Sequence, residues 1–265
     1  MNDKYKLLRE IISSSGTAVI ALSGGVDSSL VVQAAKDAGI SFIAVTSRSE
    51  ITDPDDIDSA AALASMLGIN HQTIAMDMLS HPAFTDNNRD RCYICKKELF
   101  QKLRLIADAE GYTNIFDGSN SDDINDWRPG MKAAAEYNVR SPLIEAGFSK
   151  QDVRKAAQEL GLNCWQRPSA PCIATRFPYG EKITEKGLKM AKTAEAHIKS
   201  LGFREFRVRV SGSAAKIELR EEDIHLAVEP GTRDAILQMF TSIGFDSITI
   251  DLEGFKSGKL NRQKS

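Results

Sequence analysis

Thr17-Ala18-Val19-Ile20-Ala21-Leu22 runs directly into Ser23-Gly24-Gly25-Val26-Asp27-Ser28-Ser29, and the apolar residues that follow, Leu30, Val31, Val32, Ala34, Ala35 and Ala38, fall at helical spacing. The stretch reads as a buried strand, a tight glycine turn and a helix N-terminus. That geometry points backbone N–H groups and the positive end of a helix dipole at one spot, which suits an anion. Gly24 and Gly25 let the backbone approach a phosphate with no Cβ in the way, and Ser23, Ser28 and Ser29 add hydroxyls. Asp27 is the odd member. A carboxylate beside a phosphate is repulsive unless a cation stands between them, and Mg²⁺ takes carboxylate and phosphate oxygens together.

Outward from this loop, strands alternate with helices. Residues 4–13 form an amphipathic helix through Leu7, Leu8, Ile11 and Ile12. Residues 41–46 form a second buried strand and 71–76 a third strand, and between them Asp53-Pro54-Asp55-Asp56 caps a helix that Gly68 ends. In a parallel sheet, Thr46 to Ser49 would end beside the loop. Residues 80–91 read as a polar loop, and a helix opens at Cys92-Tyr93-Ile94-Cys95. Asn114-Ile115-Phe116-Asp117-Gly118 is a strand ending in a glycine that a ligand can approach. An acidic loop with Asp122, Asp123 and Asp126 follows, then a helix, an extended Arg140–Ile144 and a helix from about Ser149 to Gly161. The expectation is an α/β fold with a doubly wound, mostly parallel sheet.

Periodicity breaks at Arg167-Pro168-Ser169-Ala170-Pro171-Cys172 and again at Arg176-Phe177-Pro178-Tyr179-Gly180. A domain boundary near Gly180 gives a larger domain over 1–180 and a small α+β domain over 181–265. The latter has a long helix over 183–201 and alternating strands at 206–210 and 215–219, joined by the hairpin signal Ser211-Gly212-Ser213. A helix through Ile236, Leu237, Phe240 and Ile243 and a strand at 247–250 complete it. The tail from Gly254 is basic and polar and reads as a solvated end.

Composition sets bounds. The 265 residues are 42% hydrophobic and 26% charged, with a net charge of −2, so no global charge favours nucleic acid. No apolar run approaches a membrane span, and the start Met1-Asn2-Asp3-Lys4-Tyr5-Lys6 lacks the apolar core of a signal peptide. A cytoplasmic location is expected, where thiols stay reduced and the four cysteines point to metal or sulfur chemistry before disulfides. Three readings stand open. Cys92, Cys95 and Cys172 could hold a [4Fe–4S] cluster with one iron open. All four, with Cys164, could hold zinc. Or the thiols carry no ligand. His71, His81, His197 and His225 show no ligand spacing.

No Gly-Lys-Ser/Thr follows the glycines and no third glycine completes a dinucleotide fingerprint. The Ser-Gly-Gly-x-Asp-Ser pattern instead resembles the PP-loop of the ATP pyrophosphatases. Two further stretches sharpen this: Asp117-Gly118-Ser119-Asn120-Ser121-Asp122-Asp123 with Trp127-Arg128-Pro129-Gly130, and Ser169-Ala170-Pro171-Cys172-Ile173-Ala174-Thr175-Arg176-Phe177-Pro178-Tyr179-Gly180. Together they resemble the ATP-dependent sacrificial sulfur transferases (LarE) nearly end to end.

The resemblance implies that ATP adenylates a carboxylate of pyridinium-3,5-biscarboxylic acid mononucleotide, a precursor of the nickel-pincer nucleotide. Pyrophosphate is released and sulfur then gives a thiocarboxylic acid. It implies that Ser23, Gly24, Gly25, Asp27, Ser28, Ser29 and Gly118 serve ATP and Mg²⁺, and that Arg176, Arg207 and Arg209 hold the substrate phosphate. Lys96 and Glu195 are further positions of this kind. Asp123 and Asp126 could hold Mg²⁺, or orient the nucleotide, or form a solvated acidic loop. Family members supply sulfur either from one cysteine, which becomes dehydroalanine, or from a [4Fe–4S] cluster. With Cys92, Cys95 and Cys172 this chain resembles the cluster type, with Cys172 and Asp27 catalytic, a sulfide donor as partner and a homohexamer as the expected assembly. The other readings are a tRNA thiolase or amide-forming synthetase, against which the lack of a basic surface and of a glutaminase segment speaks, and an ATP-binding module without turnover.

Overall fold

The computed structural model describes residues 3–125, 129–167, 171–256 and 259. Among them the strands are β1 (Ala18–Ala21), β2 (Phe42–Arg48), β3 (His71–Ala75), β4 (Asn114–Phe116), β5 (Val139–Arg140), β6 (Phe206–Ser211), β7 (Ala214–Leu219) and β8 (Ser247–Ile250). The α-helices are α1 (Asp3–Ser13), α2 (Val26–Ala38), α3 (Pro54–Leu67), α4 (Pro82–Thr85), α5 (Arg91–Glu110), α6 (Gly130–Glu136), α7 (Pro142–Glu145), α8 (Lys150–Glu159), α9 (Glu185–Ser200), α10 (Ile224–Val228) and α11 (Pro230–Ile243). Two units divide the chain: Met1–Met78 with Asp90–Ala170, and Leu79–Arg89 with Pro171–Ser265.

The first unit is an α/β layer structure on an all-parallel sheet in the order β3-β2-β1-β4-β5. Side chains alternate across β1. Ala18 and Ile20 face a core built with α1, α2, α3 and α8, whereas Val19 faces Phe100, Leu103 and Ala107 of α5 and Ala133 of α6. Helices therefore cover both faces, as expected for a doubly wound sheet. The order reverses at β1: β2 lies on one side and β4 on the other. The segments leaving the C-terminal ends of β1 and β4 thus part at a topological switch point, the usual place for a ligand crevice.

Local chemistry fixes the helix ends. The Asp53 carboxylate accepts from Asp55 N at 3.0 Å with Pro54 at the first turn, and Gly68 closes α3 at φ +62°. Ser149 and Asp152 form a reciprocal capping box at α8, and Asp152 also pairs with Lys4 at 2.6 Å. Bonds from Lys4 and Ser149 hold the Asp152 carboxyl down at about 2. The folded value lies below the unfolded one of about 3.9, so this stabilisation is complete above that pH and is lost as pH falls through about 2. Asp152→Asn is expected to cost ~1–2 kcal/mol in urea unfolding at pH 7, and the gap from the parent should narrow steadily below about pH 4.

Three sequence readings need correction. The extended reading of Arg140–Ile144 ends early, because Pro142 is well placed at a helix first turn and starts α7. Residues 79–89 are not a plain loop of the first unit. They include α4 and join the second unit, which takes up the chain again at Pro171, ahead of the expected boundary near Gly180. The reason is Asn87, fully buried at φ +56°, a conformation Asn tolerates. Its Nδ2 donates to Pro178 O at 2.7 Å and Glu181 O at 3.0 Å, while Gly180 N donates to Asn87 O and Ile183 N to Thr85 O. The run Phe177-Pro178-Tyr179-Gly180 lost periodicity because it is strapped to this segment. The third correction is the tail: Gly254 is buried, Phe255 is half-buried, and Lys259 is paired with Asp251 and Glu253, so these residues are docked. The remaining tail residues, 257–258 and 260–265, lie outside the described residues.

The second unit carries a sheet in the order β6-β7-β8. Gly212-Ser213 turns the β6–β7 hairpin, Gly212 adopting φ +55°, and β8 pairs parallel to β7. Among the described residues, no helix is long and apolar enough to cross a membrane.

Candidate active site

The loop after β1 is shaped by contacts that exclude side chains. Gly24 sits at φ +78°, and a Cβ there would lie 2.1 Å from the Asp56 carbonyl oxygen at the start of α3. Gly25 is the N-cap of α2 in an extended conformation with no side-chain cap, which leaves the first-turn N–H groups for an anion. Gly118, just past β4, backs onto the same turn: a Cβ there would lie 2.7 Å from Ser28 N. The glycines at the ends of the two diverging strands therefore meet at the helix N-terminus.

The hydroxyls brace the loop. Ser28 Oγ and Ser29 Oγ donate to Gly25 O at 3.1 and 2.8 Å, and Ser28 Oγ accepts from Ser23 N at 3.1 Å. Ser23 Oγ lies 3.1 Å from Ser28 Oγ. Ser28 and Ser29 are buried, so they set the loop's shape, and Gly25 N donates to Ser23 Oγ at 3.4 Å.

Asp27 projects from the first turn of α2. Its Oδ1 accepts from Asn120 Nδ2 at 3.1 Å and its Oδ2 is ion-paired with Lys150 Nζ at the start of α8. Lys150 N in turn donates to Asp122 at 2.9 Å. Asp123 is buried, accepting from Asn120 N at 3.0 Å, so it closes its own turn and is not a solvated loop acid. Asp126, Trp127 and Arg128 lie outside the described residues, as do Pro168, Ser169 and Ala170. Arg167 forms the outer clamp: Nη1 donates to Gly24 O at 3.2 Å and to Ser59, and Nη2 pairs with Asp56 at 2.9 Å. Burial raises the Asp56 carboxyl, and Arg167 opposes that rise. Thr46 at the end of β2 donates to Leu22 O at 2.7 Å and meets His71 Nε2 at 2.8 Å; burial lowers the His71 pKa.

Lys150, Asn120 and Arg167 were not singled out by sequence reasoning. Lys150 and Asn120 lie 123 and 93 positions from Asp27, and Arg167 lies 143 from Gly24. Asn120 and Arg167 lie in stretches the sequence marks, but nothing local pairs either of them, or Lys150, with the loop after β1.

The second unit gathers the three predicted arginines. Arg176 is buried and grips Glu195 through Nε at 2.6 Å and Nη2 at 2.9 Å. Glu195 is also held by Val208 N at 3.0 Å. Arg209 pairs with the buried Glu218 at 2.7 Å and donates to Thr175 O at 2.6 Å. Arg207, two positions earlier on β6, shares their surroundings. Three guanidiniums thus face two carboxylates, an arrangement with one cation in excess.

All four cysteines are thiols. Cys92 is exposed and Cys95 half-buried, one turn apart at the start of α5. Cys172 is exposed, just before the 3₁₀ turn Ile173–Arg176 of the second unit. Paired thiols at this spacing are soft donors of the chemical kind that suits iron–sulfur ligation. Cys164 packs against the apolar core of the first unit, as a small apolar side chain does. Lys96 crosses Gly130, and its ammonium lies 5.2 Å from the Phe100 ring centroid. Among the described residues, no three His, Cys, Asp or Glu side chains gather into a metal-holding group.

Comparison with known proteins adds the following. The NAD synthase family matches residues 1–108. The pyridinium-3,5-bisthiocarboxylic acid mononucleotide synthase of Lactiplantibacillus plantarum is 39% identical over 91% of this chain and 88% of its own length. An uncharacterized protein of Synechocystis sp. is 41% identical over 99% of this chain and 98% of its own. One from Methanocaldococcus jannaschii is 29% identical over 90% of each.

Proposed function

This chain belongs to the LarE family of pyridinium-3,5-bisthiocarboxylic acid mononucleotide synthases, and from that membership we propose that it is an ATP-dependent sulfur transferase of nickel-pincer nucleotide biosynthesis. The observation that carries the reading is the 39% identity to the Lactiplantibacillus plantarum synthase across nearly the whole of both chains.

The proposed substrate is pyridinium-3,5-biscarboxylic acid mononucleotide. A substrate carboxylate oxygen attacks the α-phosphorus of ATP, the bond to pyrophosphate breaks, and an acyl adenylate forms. A carboxylate is a poor electrophile, and AMP is a good leaving group. A sulfur nucleophile then attacks the carbonyl carbon, AMP departs, and a thiocarboxylate results. The backbone donors of Gly24, Gly25 and the first turn of α2 hold the pyrophosphate oxygens, and the loop stays rigid through Ser23, Ser28 and Ser29. Asp27 would hold Mg²⁺, which supplies charge neutralisation between phosphate oxygens. Lys150 and Asn120 orient that carboxylate. Arg176, Arg207 and Arg209 form the subsite for the substrate phosphate. Cys92, Cys95 and Cys172 would hold a [4Fe–4S] cluster, whose chemistry is to supply the transferable sulfide. A sulfide donor and a homohexameric assembly belong to the same proposal.

Anaerobically purified protein is the test. Iron and acid-labile sulfide near four per chain are expected. Pyrophosphate release should require the mononucleotide, and the intact mass should be unchanged after turnover. Absence of iron, with loss of about 34 Da (H₂S) at Cys172, would replace the cluster by the cysteine itself as sulfur source. ATP binding with no substrate-dependent pyrophosphate release would overturn the enzymatic reading.

A further inference from the structure

Arg176 and Arg209 are each engaged by a carboxylate, but among the described residues no carboxylate engages Arg207. Among the described residues its hydrogen bonding is a single donation from Nη1 to the neighbouring Phe206 O at 2.6 Å. Its guanidinium carbon lies 4.8 Å from the centroid of the Phe255 ring. Burial, then the nearby Arg176 and Arg209 charges, depress its pKa to about 10, with Glu195 and Glu218 acting in the opposite sense. An unpaired cation in such surroundings has reason to swing away, and the aromatic face is what the structure offers to hold it.

Phe255 comes from the docked tail, and its place is fixed by backbone and charge. Gly254 turns the chain at φ +69°, where a Cβ would stand 2.8 Å from Leu219 O. Phe255 N donates to that same carbonyl at 2.6 Å. Lys259 then clasps Asp251 at 2.8 Å and Glu253 at 3.0 Å, with Lys216 on Asp251 at 3.0 Å.

We propose that Phe255 is a positioning residue: its ring face holds the unpaired Arg207 guanidinium flat, keeping the N–H fork presented to the phosphate of the mononucleotide substrate. This rests on the reading above that the arginine cluster is the substrate-phosphate subsite. A guanidinium held by a π face loses none of its in-plane donors, whereas a carboxylate partner would occupy two of them.

The test compares Phe255→Leu, which keeps apolar bulk without the π face, with Phe255→Tyr and Phe255→Trp, which keep the face. Arg207→Ala is the control for the subsite. Steady-state pyrophosphate release is measured with the mononucleotide and with its dephosphorylated nucleoside, alongside thermal unfolding. Phe255→Leu is expected to raise KM for the mononucleotide ~10-fold while KM for ATP stays put, with Tyr or Trp restoring it. The nucleoside should show no such difference between Phe255→Leu and the parent. If Arg207→Ala raises the mononucleotide KM and Phe255→Leu does not, Phe255 has no positioning role. If the Phe255→Leu loss persists with the nucleoside, or moves both KM values with a lowered Tm, the residue is structural and the proposal is overturned. If Arg207→Ala itself leaves the mononucleotide KM unchanged, the phosphate-subsite reading fails instead.

Discussion

Gly24→Ala is expected to lower substrate-dependent pyrophosphate release by ~100-fold or more, whereas Gly25→Ala, one residue away, should lose far less. The two glycines look alike in sequence and differ in what surrounds them. At Gly24 the new Cβ would stand 2.1 Å from the Asp56 carbonyl oxygen and 2.9 Å from its carbon, and the backbone is at φ +78°. Both neighbours are main-chain atoms, so no flexible side chain can swing aside. Nor can the loop step back freely: Arg167 ties Gly24 O to Asp56 and Ser59, joining the loop to the start of α3. Relief of the clash needs a shift of ~1 Å, the scale of misplacement that costs about two orders of magnitude in rate. At Gly25 the nearest atom to an added Cβ is Ser23 Oγ at 3.4 Å, and φ is −81°, a conformation any residue adopts. Pyrophosphate release and ATP binding by the two variants, with circular dichroism to verify folding, decide the matter. Equal ATP affinity in Gly24→Ala and the parent would show that the loop is not the pyrophosphate cradle.

The same contrast shows what a sequence makes visible. The strand–loop–helix, the Asp53–Pro54 cap, Gly68 and the Ser211-Gly212-Ser213 hairpin are local: propensity, capping and turn chemistry within a few residues determine them. The all-parallel sheet follows from strands alternating with helices. The partners of Asp27 and Gly24 are a different matter. Lys150, Asn120 and Arg167 reach the loop only because β1 and β4 are neighbours at the switch point and α8 packs on α2, facts of topology that leave no trace in composition or periodicity. The docking of residues 79–89 was hidden for the same reason, since it depends on one buried Asn87 amide meeting carbonyls 91 and 94 positions away. The tail misled in the opposite direction. Its basic, polar composition reads as solvated, yet Gly254 permits a turn that few residues allow, and Lys259 finds two carboxylates. Arg207 and Arg209 sit at alternate positions of β6 and so share a face. The sequence shows that much; Glu218, which engages Arg209, comes from β7, Glu195, which engages Arg176, comes from α9, and among the described residues no carboxylate engages Arg207.

Cys92→Ala is expected to abolish sulfur transfer and to reduce bound iron from about four per chain to under one, yet leave pyrophosphate release within about threefold of the parent. The separation follows from where the groups reside. Cys92 is exposed at the start of α5, and α5 is held to the sheet by Phe100, Leu103 and Ala107, which the substitution does not touch. Removing an exposed thiol from a helix in favour of alanine, the best helix former, leaves the fold in place. In the proposed reaction adenylation depends instead on the loop after β1, whose bracing runs through Ser28, Ser29, Asp56, Gly118 and Arg167 and includes no cysteine. Cys164→Ala serves as the matched control: that thiol packs against the core, so the change should leave iron content and sulfur transfer intact at a cost of ~1 kcal/mol in stability. Iron analysis, pyrophosphate release and thiocarboxylate formation on the same preparations discriminate the outcomes. Parallel loss of iron and pyrophosphate release in Cys92→Ala would mean that the thiol pair and the loop form one functional unit. Full thiocarboxylate formation by Cys92→Ala, with each chain losing the mass of H₂S at Cys172, would mean that the pair is dispensable and the protein gives up its own sulfur. Only the intermediate result, activation without transfer, is what two chemically separate sites predict.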